Sequence, residues 1–414
     1  MGANGNSLTG PPLRFISLDS WRGIAALSVA LLHFNAAWHG YDWTFQRFIH
    51  LFVDFFFVLS GLVIAQAYGD RLATPRGTAS FLIRRFGRIW PLHAAVLLGF
   101  AAVEAAKWIA ITILGMPAET PPFAEAGAVP ASEFPLHLAL LHGIGFTDRL
   151  TWNTPSWSIS AEFWIYVIFA LVSWSVVCLG LPQLRSRIMA ALGLLAATVL
   201  FRSVSIHDLD LTYDGGMARC IFGFALGYLV HRIRTRLPNP AFSAFASLAE
   251  FAILILLAAW MISAAGTQWM ALTPVLIAVA VYIFSFDAGP ISRALQARPF
   301  QNLGLWSYSI YMVHGLVLFT LGLAVSVLER KLGIPLWQDL PHATRTVRTV
   351  TNIDPWLLDA ALLAFLAFVV WISSWTYQLI EAPAREAFNR LARDLEQTTP
   401  AFPGRTVGPS GKSG

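Results

Sequence analysis

Charge is what this 414-residue sequence has least of. Only 12% of its residues are Asp, Glu, Lys or Arg, about half the share found in a soluble domain. That deficit excludes a disordered chain, a charged coiled coil and an ordinary soluble enzyme. Cysteine is almost absent as well. Cys178 and Cys220 both fall inside apolar runs, so a disulfide framework or a cysteine metal site is excluded and both are expected in the core. No basic residue precedes the polar Gly/Asn/Ser stretch of residues 1–12, so no cleaved signal is expected and the first apolar run should remain as a helix. The net charge of +5 has no soluble basic module behind it, which argues against nucleic-acid binding. What the chain does have is apolar surface: 56% hydrophobic residues, 16 Trp and 30 Phe. It reads as a multi-pass membrane protein.

A helix crossing the hydrocarbon core needs about 20 mostly apolar residues. Ten runs qualify: 15–37, 49–68, 87–114, 157–181, 188–203, 216–231, 246–264, 270–286, 304–327 and 357–380. The stretch 135–146 is apolar but too short to span and is expected to be interfacial or re-entrant. An all-α transmembrane bundle follows, because a membrane barrel would show alternating ten-residue strands. With a cytoplasmic N-terminus, 17 Lys and Arg fall in inner segments and the tail, and six in outer loops. That bias fits the positive-inside rule with both termini cytoplasmic. Residues 1–13 are then an inner segment, 14–385 the membrane domain and 386–414 a flexible tail.

Ionisable groups inside spans cost about 2.5–3.5 kcal/mol each on insertion scales, so they are functional candidates by default. In the first span Arg22 and His33 are 11 residues apart. That spacing returns them to one face, about 16 Å apart along the axis. Asp19, one turn before Arg22, is positioned to pair with it. The bland alternative is a polar cluster that packs helices. In the second span Asp54 lies near the outer end, and Ser60-Gly61 makes a small patch where helices can approach closely. The segment FLIRRFGRIWPL carries Arg84, Arg85 and Arg88, of which at least two share a face. Guanidinium forks suit phosphates, although headgroup anchoring would use the same residues. In WNTPSWSISAEFW, Pro155 suits a helix start with Thr154 as cap. Ser158, Glu162 and Tyr166 then recur every fourth residue. A carboxylate at that depth needs a partner. Ser307, Tyr311 and His314 share a face of the ninth span. His314 is either a second catalytic group or a bond between helices.

These motifs, taken in order, carry a resemblance. The R-x10-H pair, FFFVLSG, RRFGRIWPL, SWSISAEFW, YSIYMVHG and the closing YQLIEAPAR with Glu381 and Pro383 resemble the acyltransferase-3 family of integral-membrane O-acyltransferases. The resemblance covers about residues 14–385. It implies transfer of an acyl group, usually acetyl from acetyl-CoA, to a hydroxyl of a sugar, polysaccharide or glycosylated acceptor, with no metal. The family's R-x10-H pair maps to Arg22 and His33. Its R-x-x-R pair, on the acyl-CoA side, maps to Arg85 and Arg88, and its W-S-x-S-x-E motif to Trp157, Ser158, Ser160 and Glu162. Many relatives add an SGNH-type domain. About 30 residues follow the last span here, so a stand-alone enzyme is expected, in the bacterial cytoplasmic (inner) membrane.

In the mechanism this suggests, His33 is either the general base on the acceptor hydroxyl or a transient acyl carrier. Arg85 and Arg88, with Arg84 beside them, hold the CoA phosphates. Arg22 lines the path or steadies the thioester oxygen, and Glu162 orients His33 or pairs with Arg22. Asp19, Asp54, Ser60, Trp157, Ser158, Ser160, Tyr311 and His314 are supporting candidates. Two other classes stay open: a secondary transporter, against which no repeat of two halves is visible, and a non-enzymatic scaffold whose polar residues are packing glue. The acceptor, the acyl group and any homo-oligomer are not legible in the sequence.

Overall fold

The computed structural model describes residues 14–68, 72–117, 120–203, 209–236, 245–342 and 345–397. The inner segment expected at 1–13 and the tail beyond 397 lie outside the described residues.

Each of the ten apolar runs is helical. They form α1 (Ile16–Leu32), α2 (Phe52–Tyr68), α3 (Pro75–Leu114), then, after the short α4 (Phe134–Leu138), α5 (Trp157–Cys178), α6 (Leu184–Ser203), α7 (Gly216–Arg236), α8 (Ala246–Ala264) and α9 (Thr273–Phe284). Two short helices, α10 (Pro290–Leu295) and α11 (Arg298–Leu305), lead into α12 (Ser307–Leu332). A hairpin, β1 (Trp337–His342) and β2 (Arg345–Val350), precedes α13 (Pro355–Thr376), which passes through a π turn (Tyr377–Glu381) into α14 (Ala382–Gln397). Among the described residues, seven helices are long and apolar enough to cross a membrane. The runs that fall short are α1 and α9, with 17 and 12 residues, and α7, whose 21 residues carry four arginines.

Helix α3 has 40 residues and so is about 60 Å long, twice the hydrocarbon thickness. It therefore starts a dozen residues earlier than hydropathy alone suggests. Thr74 caps it, its hydroxyl accepting from the Gly77 N–H at 3.0 Å, with Pro75 at the first turn. The added turns carry Arg76, Arg84 and Arg85, which hydropathy averaging reads as loop.

The small-residue patch at Ser60-Gly61 does bring helices together. A Cβ at Gly61 would meet the Phe224 carbonyl, and one at Gly227 the Val58 carbonyl. So α2 and α7 touch backbone to backbone, the packing that glycine permits in a bilayer. The same pair is pinned by a buried ion pair, Asp54 with Arg219, at 2.6 Å. Around them lies one core built from Ala26 and Val29 of α1, Phe57 and Ile64 of α2, Leu92 and Val96 of α3, and Ile310 and Val313 of α12.

The helical bundle carries one hairpin besides: β1 and β2 pair from Trp337↔Val350 to His342↔Arg345. The strand edge continues onto the segment just after α1, where the Ala37 N–H donates to the Val350 carbonyl at 2.9 Å. Alternating residues such as Thr346-Val347-Arg348-Thr349 are too short a run to stand out in a hydropathy scan. Several expectations are corrected. The tail expected to be flexible from residue 386 is helical to Gln397. It packs on α3, with Ala392 fully buried, Phe388 against Gly87, and Glu396 accepting from Ser80 at 2.5 Å. Its polar composition hid an amphipathic face. Cys220 is buried as expected, but Cys178 is exposed at the end of α5. Thr154 does not cap α5. Thr154–Ser156 is instead a 3-10 turn that leads into it.

Candidate functional site

Helical spacing puts each group of site residues on one face of its helix, and the packing of the helices brings those faces together. Asp19 and Arg22 on α1, Arg85 and Arg88 on α3, Ser158, Glu162 and Tyr166 on α5, and Ser307 and Tyr311 on α12 each recur at one helical turn. All of them line one cavity of about 220 Å³. Ser60 and the rings of Phe56 and Phe57 from α2 complete it. The volume lies below the 300–1,000 Å³ typical of pockets that enclose a compact ligand, so the space suits a slender chain.

The cavity is rich in positive charge. Arg22 lies 3.6 Å from Asp19, while Arg88 has no carboxylate within 4 Å among the described residues. The nearby carboxylates of Glu381, Glu162 and Asp19 act on Arg88 through their charge and not through a direct ion pair. Arg85 is held by rings: its guanidinium lies 5.3 Å from the Tyr68 ring centre and 6.0 Å from that of Tyr166, and it donates to the Tyr68 hydroxyl at 3.2 Å. Its Nε is buried without a partner. Guanidinium groups with donors to spare, facing a cavity inside a bundle of apolar helices, have the chemistry to bind an anion. Glu162 accepts from the Tyr166 hydroxyl at 2.5 Å, and that hydroxyl also meets Ser60 at 2.8 Å. Among the described residues, Glu162 forms no ion pair with Arg22, whose ion-pair partner is Asp19. The Glu162 charge reaches Arg22 only at longer range.

The histidines stand behind the cavity wall. His33 ends α1 as its C-cap, and His314, fully buried, faces it from α12 with ring centres 5.1 Å apart. Tyr311 separates them from the cavity. Its ring lies 5.9 Å from His314, and its hydroxyl is tied to Ser158 at 2.8 Å and to the Pro155 carbonyl at 3.0 Å.

Other expected site residues have structural work. Arg84 turns away from the cavity and binds Glu396 of α14 through both carboxylate oxygens at 3.1 Å. Asp54 belongs to the Arg219 ion pair, with Trp157 stacked 5.3 Å from that guanidinium. Ser160 donates to the Leu140 carbonyl at 2.6 Å and accepts from the Gly143 N–H, fastening the 135–146 stretch to α5.

Two site residues escaped the motif reading. Tyr68, at the end of the second apolar run, positions Arg85. Glu381, quoted only as part of the closing motif, is buried in the π turn and accepts from Ser309 at 2.9 Å. An acidic residue directly after a span was the available signal.

A second histidine group lies outside the cavity. His93, His137 and His142 stack, with centroids 4.0 Å apart for His137 and His142 and 5.6 Å for His93 and His142. Their Nε2 atoms donate to the His137 carbonyl, Thr151 and Ser156 respectively, and each Nδ1 is buried without a partner. Burial first and His93 second push His137, on the short α4, down to about 3. Burial, then the neighbouring rings, holds His142 well below the ordinary imidazole value. His137 and His142 are therefore neutral struts, with the His93 ring stacked on His142. Among the described residues, no group of three or more His, Cys, Asp or Glu is arranged to hold a metal ion.

A bundle of this apolarity with a charged cavity in its middle is an integral membrane protein. Residues 15–378 match the model of the family described as an acyltransferase domain. The chain belongs to that acyltransferase-3 family, and it is an acyltransferase. It is also similar to Protein 2 in the picA locus of Rhizobium radiobacter, 35% identical over 170 residues, covering 39% of this chain and 83% of that protein. No solved structure matches.

Proposed function

We propose that the protein moves an acyl group, by default acetyl, from acyl-CoA to a hydroxyl of a sugar or glycosylated acceptor across a bacterial inner membrane. The observation that carries this reading is the meeting of Arg22, Arg85 and Arg88 in one narrow cavity within the helix bundle. Phosphates would sit at Arg85 and Arg88, and the slender pantetheine arm would run along Phe56 and Phe57 toward Tyr311. In this reading all ten runs cross the bilayer and both termini are cytoplasmic, which puts the basic residues on the side where CoA is found.

The chemistry needs little beyond positioning and one proton transfer. The acceptor oxygen attacks the thioester carbonyl, forming the C–O bond, and the C–S bond breaks. His33 takes the hydroxyl proton and returns it to the departing CoA thiolate. A transient acyl-His33 divides the same sequence into two steps. Arg22 steadies the negative charge that develops on the thioester oxygen.

Calorimetry with acetyl-CoA on protein in nanodiscs tests the donor. Micromolar binding that disappears in the Arg85→Ala/Arg88→Ala double variant is the expected result. Absence of binding by the wild type would overturn acyl-CoA as donor. Transfer of labelled acetyl to a sugar acceptor should vanish in His33→Ala while the protein still purifies folded, and full activity of that variant would remove His33 from the mechanism.

A further inference from the structure

The contact between His33 and His314 contains more information than proximity. His33 Nδ1 lies 2.8 Å from the Val29 carbonyl oxygen and 3.3 Å from His314 Nε2. His314 Nδ1 in turn lies 3.1 Å from the Ile310 carbonyl oxygen. A carbonyl only accepts, so both Nδ1 atoms must carry protons. In a neutral His314, Nε2 is then the bare nitrogen and accepts from His33 Nδ1–H. The same bookkeeping leaves the lone pair of neutral His33 on Nε2. One chain of acceptors thereby fixes two tautomers.

We propose that His314 is a positioning residue for His33. It holds the ring with Nε2 as the basic atom and accepts the Nδ1–H bond that strengthens when His33 takes up the acceptor's proton. The Val29 carbonyl at 2.8 Å and His314 Nε2 at 3.3 Å share the single Nδ1–H, and Val29 also takes the backbone N–H of His33, so His314 is the second acceptor for that proton. Tyr311 cannot displace His314, since its hydroxyl is committed to Ser158 and Pro155. Placement supports the assignment. His33 is the C-cap that follows α1, where the helix no longer constrains the ring, whereas His314 is fully buried about two turns into α12. The fixed ring orients the movable one. The larger cavity of about 500 Å³ lined by Phe319, Leu323, Ser326 and Arg330 does not compete for this role. At 100° per residue those positions lie about 120–180° round α12 from His314.

The inference rests on the reading of His33 as the base, so the test includes a readout independent of turnover. Nitrogen-15 NMR of histidine-labelled protein in nanodiscs, with His33 assigned by difference against His33→Gln, reports each ring nitrogen. The expected pattern is protonated Nδ1 on both rings and bare Nε2 on both, with an Nε2-protonated population of His33 appearing in His314→Phe. In acetyl transfer, His314→Phe should lower kcat by about 10- to 100-fold, the worth of one charge-assisted hydrogen bond. KM for acetyl-CoA should stay within about twofold. His314→Gln, which restores an acceptor near the Nε2 position, should recover most of the loss. A protonated His314 Nε2 in the wild type, or unchanged kcat in His314→Phe, overturns the proposal. If the wild type transfers no acyl group yet shows the expected nitrogen pattern, the catalytic reading falls and the proton arrangement stands.

Discussion

Removing one member of the Asp54–Arg219 pair should destabilise the bundle more than removing both. Asp54 is wholly buried and Arg219 1% exposed, and they meet through two bonds, at 3.2 Å from Nε and 2.6 Å from Nη2. The guanidinium spends two of its three other donors on the carbonyls of Leu211 at 2.7 Å and His50 at 3.3 Å. One side chain thus joins α7, α2, the turn before α2 and the segment ahead of α7. With Asp54→Ala a full positive charge stays buried without its counterion, at a cost of about 3–5 kcal/mol. Arg219→Ala strands the carboxylate, at a similar cost. Replacing both with apolar residues of similar size, Asp54→Leu with Arg219→Met, removes the desolvation burden along with the attraction. That double variant should lie within about 2 kcal/mol of wild type. The carbonyls of Leu211 and His50 are then short of a donor, which keeps it from full recovery. Unfolding titration with SDS in mixed micelles gives the three differences. Single variants that lose less than about 1 kcal/mol would mean that water reaches the pair, and the argument from burial would fail.

Arg84→Ala should leave acetyl-CoA affinity within about twofold of wild type, because its partner is Glu396, while Arg88→Ala should weaken it about tenfold or more. Isothermal calorimetry separates the two. Gly227→Val places a Cβ on the Val58 carbonyl and should cost at least about 1–3 kcal/mol. Gly322→Ala, whose Cβ would have ordinary contact with Trp337 at 3.9 Å, should be neutral or stabilising, and the same SDS titration measures both. Acid should loosen the segment around α4. His137 stays neutral when folded down to about 3 but takes a proton near 6.5 once released, so its contribution is intact above pH 6.5 and declines as the pH falls toward 3. At pH 5 the local cost is about 2 kcal/mol for His137, and His142 adds to it. Hydrogen exchange over residues 134–157 at pH 7.5 and pH 5, corrected for intrinsic rates, should show the loss. Equal protection at both would refute the neutral-strut reading.

Much of this protein was legible without coordinates, for a simple reason. A bilayer offers no hydrogen bonds, so each segment within it must be apolar and helical, and both properties are written locally in the chain. The ten runs, the turn-spaced stripes Asp19–Arg22, Arg85–Arg88 and Ser158–Glu162–Tyr166, and the close packing at Gly61 follow from that. So does the expectation that they face a common space, since charges in a bilayer must find one another. What local pattern could not decide is which stripe meets which. Asp54 and Glu162 are alike in sequence, each a carboxylate near a span end. Only the packing of α7 on α2 hands Asp54 to a structural arginine and leaves Glu162 in the cavity with Tyr166. Arg84 and Arg85 are neighbours, but 100° of helical rotation sends one to α14 and the other to the site. The pairing of His33 with His314 joins residues 281 positions apart. Helical periodicity sets the face on which a side chain lies, and the tertiary structure alone supplies its partner.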